Sequence, residues 1–108
     1  MRPQSVSQTG VGNTAVLVPD YMISPFALGV GVIVSGTVTY TVQHTFDDVF
    51  APGFNPATAT WIDHPTLAAK TTTSDSNYAF PVRGIRLSVT AGTGTATLRL
   101  VQAGTIGA

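Results

Sequence analysis

The sequence predicts an all-β domain, an antiparallel β-sandwich or jelly roll of about six to eight short strands. Three observations predict it. The 108 residues are rich in Thr, Val, Ala and Gly, contain no Glu, and include Lys70 as the only lysine. Val and Thr lose rotamer freedom in a helix and fit the pleated surface of a sheet. Glu, Lys and Gln, which coat the wet faces of helices, are scarce. Second, Gly and Pro punctuate the chain at intervals of roughly 8–12 residues, the spacing of short strands joined by turns. Third, several segments alternate apolar and polar residues with a period of two.

The elements follow in order. Ser5–Thr9 and Asn13–Val18 read as strands. The first twelve residues are polar and end in glycine, so they are either the domain's own first strand or an arm that pairs with a neighbour's sheet edge. Phe26–Val34, Ser35-Gly36 and Thr37–His44 read as a hairpin closed by a tight turn. In that register Val34 faces Thr37, Val32 faces Thr39 and Val30 faces Thr41. Tyr40 then lies over Gly31, where a ring covers backbone that glycine leaves bare. Pro52, Pro56 and Pro65 make 46–67 irregular, with a weak strand at Thr58–Ile62 and short helical turns expected at Asp47–Phe50 or Thr66–Lys70. Tyr78–Val82 is a further weak strand. Gly84–Thr90 and Thr95–Gln102 read as a second hairpin around Ala91-Gly92-Thr93-Gly94. Its register sets Ile85, Leu87 and Val89 against Leu100, Leu98 and Ala96. Arg86 then faces Arg99 on the outer side. The whole is one domain, residues 1–108, with 1–12 as arm or first strand.

Charge is low. Charged residues make up 9% of the chain and the formal net charge is zero. No broad basic field favours nucleic acid. The same low charge gives weak protection against self-association, which suits a subunit of an assembly better than a free monomer. Cysteine is absent, so no disulfide framework is expected. The longest apolar stretch, near Phe26–Val34, is too short to span a bilayer. No apolar run of signal-peptide length follows Met1, and synthesis and retention in a cytoplasm are expected.

Candidate chemistry is thin. His44, Asp47 and Asp48, with Asp63 and His64, carry ligand-type side chains, but their spacing matches no zinc, EF-hand or facial-triad pattern. A polar loop whose aspartates accept from nearby backbone N–H groups explains them more simply. No serine or threonine sits in a nucleophile-elbow context. The glycine-rich stretches precede no helix pattern, so phosphate cradling is unsupported. No enzyme activity, metal or cofactor is expected.

The informative residues are of another kind. Arg86 and Arg99, if opposed, repel unless an anionic partner offsets them or their long side chains splay apart in water. Phe46, Phe50, Phe54 and Trp61 crowd one Pro-rich loop, either as a cover over the core or as an exposed patch that docks on a neighbouring subunit. These six residues are the expected partner interface.

The segments SGTVTYTVQHTFDDVFAPGFNPATATW, WIDHP and NYAFPVRGIRLSVTAGTGTATLRLVQAG resemble small virion structural proteins of tailed bacteriophages. The resemblance covers the chain from about Tyr21 onward. Its most specific parts are YTVQHTFDD and RGIRLSVTAGTGTATLRLVQAG. It implies a place in the virion, assembled in the host cytoplasm, and carries no active site. The leading expectation is a capsid decoration (cement) protein that binds the major capsid protein or other virion subunits as a homo-oligomer, a dimer or trimer, and bridges neighbours by symmetry and avidity. The alternative is a tail, baseplate or fibre-anchoring adaptor. An outsider is a carbohydrate-binding module or small hydrolase.

Overall fold

A computed structural model of the chain describes residues 4–19, 27–78 and 81–103. It contains eight strands: β1 (Gln4–Thr9), β2 (Gly12–Asn13), β3 (Ala27–Ser35), β4 (Val38–Thr45), β5 (Ile62–Asp63), β6 (Ser74–Tyr78), β7 (Gly84–Gly92) and β8 (Thr95–Ala103). They form two antiparallel four-stranded sheets, ordered β1-β8-β3-β6 and β2-β7-β4-β5. The all-β expectation holds, and no helix forms among the described residues.

The strand order is that of a jelly roll. Strand β1 pairs with β8, β2 with β7, β3 with β6 and β4 with β5. The chain is thus one long antiparallel ribbon, doubled back between β4 and β5 and wrapped around a core. Only the β4–β5 connection stays within a sheet; every other connection crosses to the facing one.

Both expected hairpins are therefore overturned. Strands β3 and β4 lie in different sheets, as do β7 and β8. The sequence contains the reason for the first. The inward residues of β3 are Leu28, Val30 and Val32, and those of β4 are Val38, Tyr40 and Val42. A two-residue loop at Ser35-Gly36 sets even-numbered residues opposite odd-numbered ones, so a hairpin puts these two sets on opposite faces. Crossing to the facing sheet points both sets into one core. Tyr40 accordingly does not cover Gly31. It is fully buried, and its hydroxyl donates to the Thr72 carbonyl at 2.7 Å. For β7 and β8 the alternation is satisfied either way. Ile85, Leu87, Val89, Ala96, Leu98 and Leu100 all enter the core cluster.

The two crossovers stack on each other. Strand β3 lies beside β8, pairing Ser35 with Thr95, and β4 lies beside β7, pairing Val38 with Gly92. Gly94 N–H donates to Thr37 O at 2.9 Å. Gly92 has φ +98, and a Cβ there would run into the Thr37 carbonyl and Val38. Between the Tyr40–Val89 and Thr39–Ala91 pairs the register shifts by one residue. This bulge leaves Thr90 without a register partner, and past it the inward even-numbered residues of β4 face the inward odd-numbered residues of β7.

Of the segment read as arm or first strand, Gln4–Thr9 pairs within the domain as β1, with Val6 packed partly on the core, and residues 1–3 lie outside the described residues. Of the segment read as Asn13–Val18, only Gly12–Asn13 and a bridge at Leu17 pair with β7. Thr58–Ile62 shrinks to Ile62–Asp63. The strand read at Tyr78–Val82 runs instead from Ser74 to Tyr78; residues 79–80 lie outside the described residues. The expected helical turns are non-helical turns.

Candidate functional site

The outer face of the β2-β7-β4-β5 sheet carries one continuous polar row. Arg86 on β7 pairs with Gln43 on β4, and Gln43 pairs with Asp63 on β5. The backbone register thus aligns three long side chains. Arg86 Nε–H donates to Gln43 Oε1 at 2.9 Å, and Gln43 Nε2–H donates to Asp63 Oδ1 at 2.9 Å. The amide relays between a cation and a carboxylate that do not touch. The Arg86 guanidinium carbon lies 4.1 Å from the Trp61 ring centroid, a cation–π stack. Partial burial lowers the Arg86 pKa from its ordinary value. Among the described residues no bond is made to its outer Nη groups, so the guanidinium fork keeps donors for an acceptor outside the domain.

Trp61 is positioned by the loop 46–61. Asp47 Oδ2 accepts from Thr60 N–H at 2.9 Å and closes the loop at its mouth. Asp48 Oδ1 accepts from Phe50 N–H at 3.0 Å, and Asn55 Oδ1 accepts from Ala57 N–H at 2.9 Å, two Asx turns. Trp61 Nε1–H donates to Pro56 O at 2.8 Å. The loop encloses a shallow concavity of about 330 Å³ lined by Asp47, Asp48, Phe54 and Asn55 among others. Its carboxylates are engaged as turn acceptors, which is the simpler reading of these aspartates.

The four aromatics do not enter the core. Phe46 is 51% exposed and Phe50 69% exposed. Phe54 and Trp61 are half-buried. The loop therefore carries the exposed form of the patch, with Phe46 edge-on to His44 at 5.6 Å between centroids.

Arg99 is not opposed to Arg86. It projects from β8 on the outer face of the other sheet, between Ser5 and Gly31. The two arginines thus sit on opposite sides of the sandwich, because β7 and β8 belong to different sheets. No repulsion between them calls for a shared anion.

The histidines also have structural surroundings. Tyr78, on β6, reaches between His44 on β4 and His64 just after β5. Its ring lies edge-on to both, at 5.0 and 4.8 Å. Its hydroxyl is 2.9 Å from His44 Nδ1. His64 Nε2–H donates to Asn77 O at 3.0 Å, and Thr66 N–H donates to His64 Nδ1 at 3.2 Å. This cluster closes the β5–β6 side of the sandwich. Burial raises the Tyr78 pKa well above its ordinary value. Burial, then the neighbouring His64, lowers that of His44, against a smaller opposing pull from Asp63. No group of three or more metal-ligating side chains forms among the described residues.

The sequence alone does not single out Gln43 or Tyr78. Gln43 interrupts the threonine face of β4, which is a readable signal. Tyr78 gives none, since its partners come from another sheet. No protein-family model, curated protein or solved structure matches this chain.

Proposed function

We propose that the chain is a non-enzymatic structural protein of a virion, a capsid decoration (cement) domain that docks on the shell and bridges neighbouring capsid subunits. The observation that carries this reading is the loop 46–61. It holds Phe46 and Phe50 out of the core, and it ends in Trp61 stacked under a guanidinium with donors to spare. Exposed aromatics beside an arginine are the residue types that anchor protein interfaces. Three further points support it: the resemblance of YTVQHTFDD and RGIRLSVTAGTGTATLRLVQAG to phage virion proteins, the low surface charge, and the use of jelly rolls in viral capsids. The last is analogy at the level of fold.

Purified parent particles provide the test. A decoration protein is present at on the order of hundreds of copies per particle, because shell symmetry multiplies each site. Quantitative gels that count tens or fewer overturn the decoration reading in favour of a tail or adaptor component. Binding of the isolated domain to bare shells, lost in Phe50→Ser, is the second expected result. Specific glycan binding without shell binding favours the carbohydrate-module reading.

A further inference from the structure

A jelly roll of two open sheets has four edges, and three of them are blunted here. Strands β2 and β5 are two residues long. Beyond them the edges of the β2-β7-β4-β5 sheet are taken up by bridges from Leu17 to Ile85 and from Lys70 to Tyr40. Strand β6 carries Asp75, and its outward backbone meets the 64–66 segment through His64 Nε2–H to Asn77 O. Strand β1 has none of these devices. Its six residues, Gln4–Thr9, hold no charge, no proline and no bulge. Such an edge is a template for another strand.

The orientation of its backbone follows from one bond. Gly10 N–H donates to Gly94 O at 3.0 Å, one rung beyond the Thr9–Thr95 pair. Backbone groups alternate sides along an antiparallel strand. The even-numbered residues of β1 therefore bond to β8, and the N–H and C=O groups of Ser5 and Ser7 point away from the sheet. Among the described residues no bond reaches them.

We propose that β1 pairs with β1 of a second copy across a two-fold axis at Val6, joining two sheets into one of eight strands. In this register Ser5 faces Ser7 of the second copy, and these pairs exchange four backbone hydrogen bonds. Val6 faces its own counterpart as a non-bonded pair, the closer kind, which covers the part of Val6 left open at the edge of the core. The outward hydroxyl row continues across the join. It already links Ser7 Oγ to Thr97 Oγ1 and Thr9 Oγ1 to Thr95 Oγ1 at 2.9 Å each. Among the described residues the nearest like charges, Arg99 and its counterpart, fall about 16 Å apart from strand spacing and rise, beyond the screening length of about 10 Å at 0.1 M salt. Six edge residues bury less than the roughly 1,200–2,000 Å² of a standard interface, so the dimer is concentration-dependent. The pairing stands independently of the virion reading, and its failure leaves that reading untouched.

Sedimentation of the full chain over a range of concentrations is the primary measurement. The weight-average mass should climb from 11.2 kDa toward twice that value. Ser7→Pro removes the outward N–H and the Ser7–Thr97 hydroxyl contact but keeps the β1–β8 backbone ladder, and Ser7→Ala removes the hydroxyl contact alone. Ser7→Pro should stay monomeric, while Ser7→Ala dimerises like the parent. The chain lacks cysteine, so single thiols report the register. Val6→Cys should form a disulfide dimer about tenfold faster than the exposed control Thr90→Cys, from the raised effective concentration. It should also outpace Ser7→Cys. A parent chain monomeric at every concentration, including one that pairs only with a foreign strand, overturns the proposal. So does dimerisation of Ser7→Pro at the parent's level, or equal cross-linking of Val6→Cys and Thr90→Cys.

Discussion

The guanidinium carbon of Arg86 lies over Trp61, 4.1 Å from the ring centroid, while its Nε–H is held by Gln43. The stack joins a regular strand to an irregular loop 25 positions away in sequence. Arg86→Ala removes both contacts on a half-exposed face, where a cation–π stack and a hydrogen bond together contribute about 1–2 kcal/mol. Urea denaturation should show a loss of that size. Arg86→Lys should not restore it, because an ammonium lacks the planar fork that stacks and bonds at once.

Phe50 contributes little to folding, since most of its surface stays in water. Phe50→Ser should leave the thermal midpoint within the range of ordinary surface substitutions, about 0.5 kcal/mol either way. Shell binding by the same variant should fall. A large loss of stability would show instead that Phe50 serves the fold.

Gly92 sits where the two crossovers stack, with φ +98 and the Thr37 carbonyl where a β-carbon would have to sit. Gly92→Ala adds left-handed strain to a backbone clash and should cost at least about 2 kcal/mol. Gly53, at φ +82 with open space where a β-carbon would sit, provides the comparison. Gly53→Ala should cost about 1–2 kcal/mol, the backbone contribution alone. Chemical denaturation of the two variants separates strain from packing.

Thr14 completes the edge of the β2-β7-β4-β5 sheet with its side chain. Its N–H donates to Leu87 O at 2.9 Å, and its hydroxyl oxygen accepts from Leu87 N–H at 3.0 Å. Thr14→Val keeps the shape but leaves a buried N–H without an acceptor, a loss of about 1–3 kcal/mol. Faster hydrogen exchange at the Leu87 amide should accompany it.

His44 makes stability depend on pH. Burial and the adjacent His64 hold its folded pKa below the ordinary 6.5, against a smaller pull from Asp63. Below 6.5 the unfolded chain binds the proton more readily than the folded one. The contribution is therefore intact above pH 6.5 and is lost as pH falls toward the folded pKa. Urea midpoints should drop between pH 8 and pH 5, and His44→Gln should flatten that slope. Equal slopes would place the acid sensitivity elsewhere.

The β class, the approximate number of strands and the inward faces of β4, β7 and β8 were legible in the sequence. Alternation is a local property: each apolar residue two positions from the next points to the same side whatever lies beside it. Val38, Tyr40, Val42 and the apolar residues of β7 and β8 went where that pattern sends them, whereas the expected hairpin set Val30 and Val32 on the threonine face and the crossover turns them into the core. The candidate interface residues were legible as types, an arginine and a set of loop aromatics, but not as neighbours. Trp61 reached Arg86, and Arg86 parted from Arg99, only because β7 and β8 lie in different sheets. Strand partnership is decided by what closes around a shared core. Ser35-Gly36-Thr37 and Thr93-Gly94 are short enough for hairpins and also for crossovers. The equal parity of the inward residues on β3 and β4 decides the first in favour of a crossover, while for β7 and β8 alternation allows either and the choice fell to stacking on the first crossover.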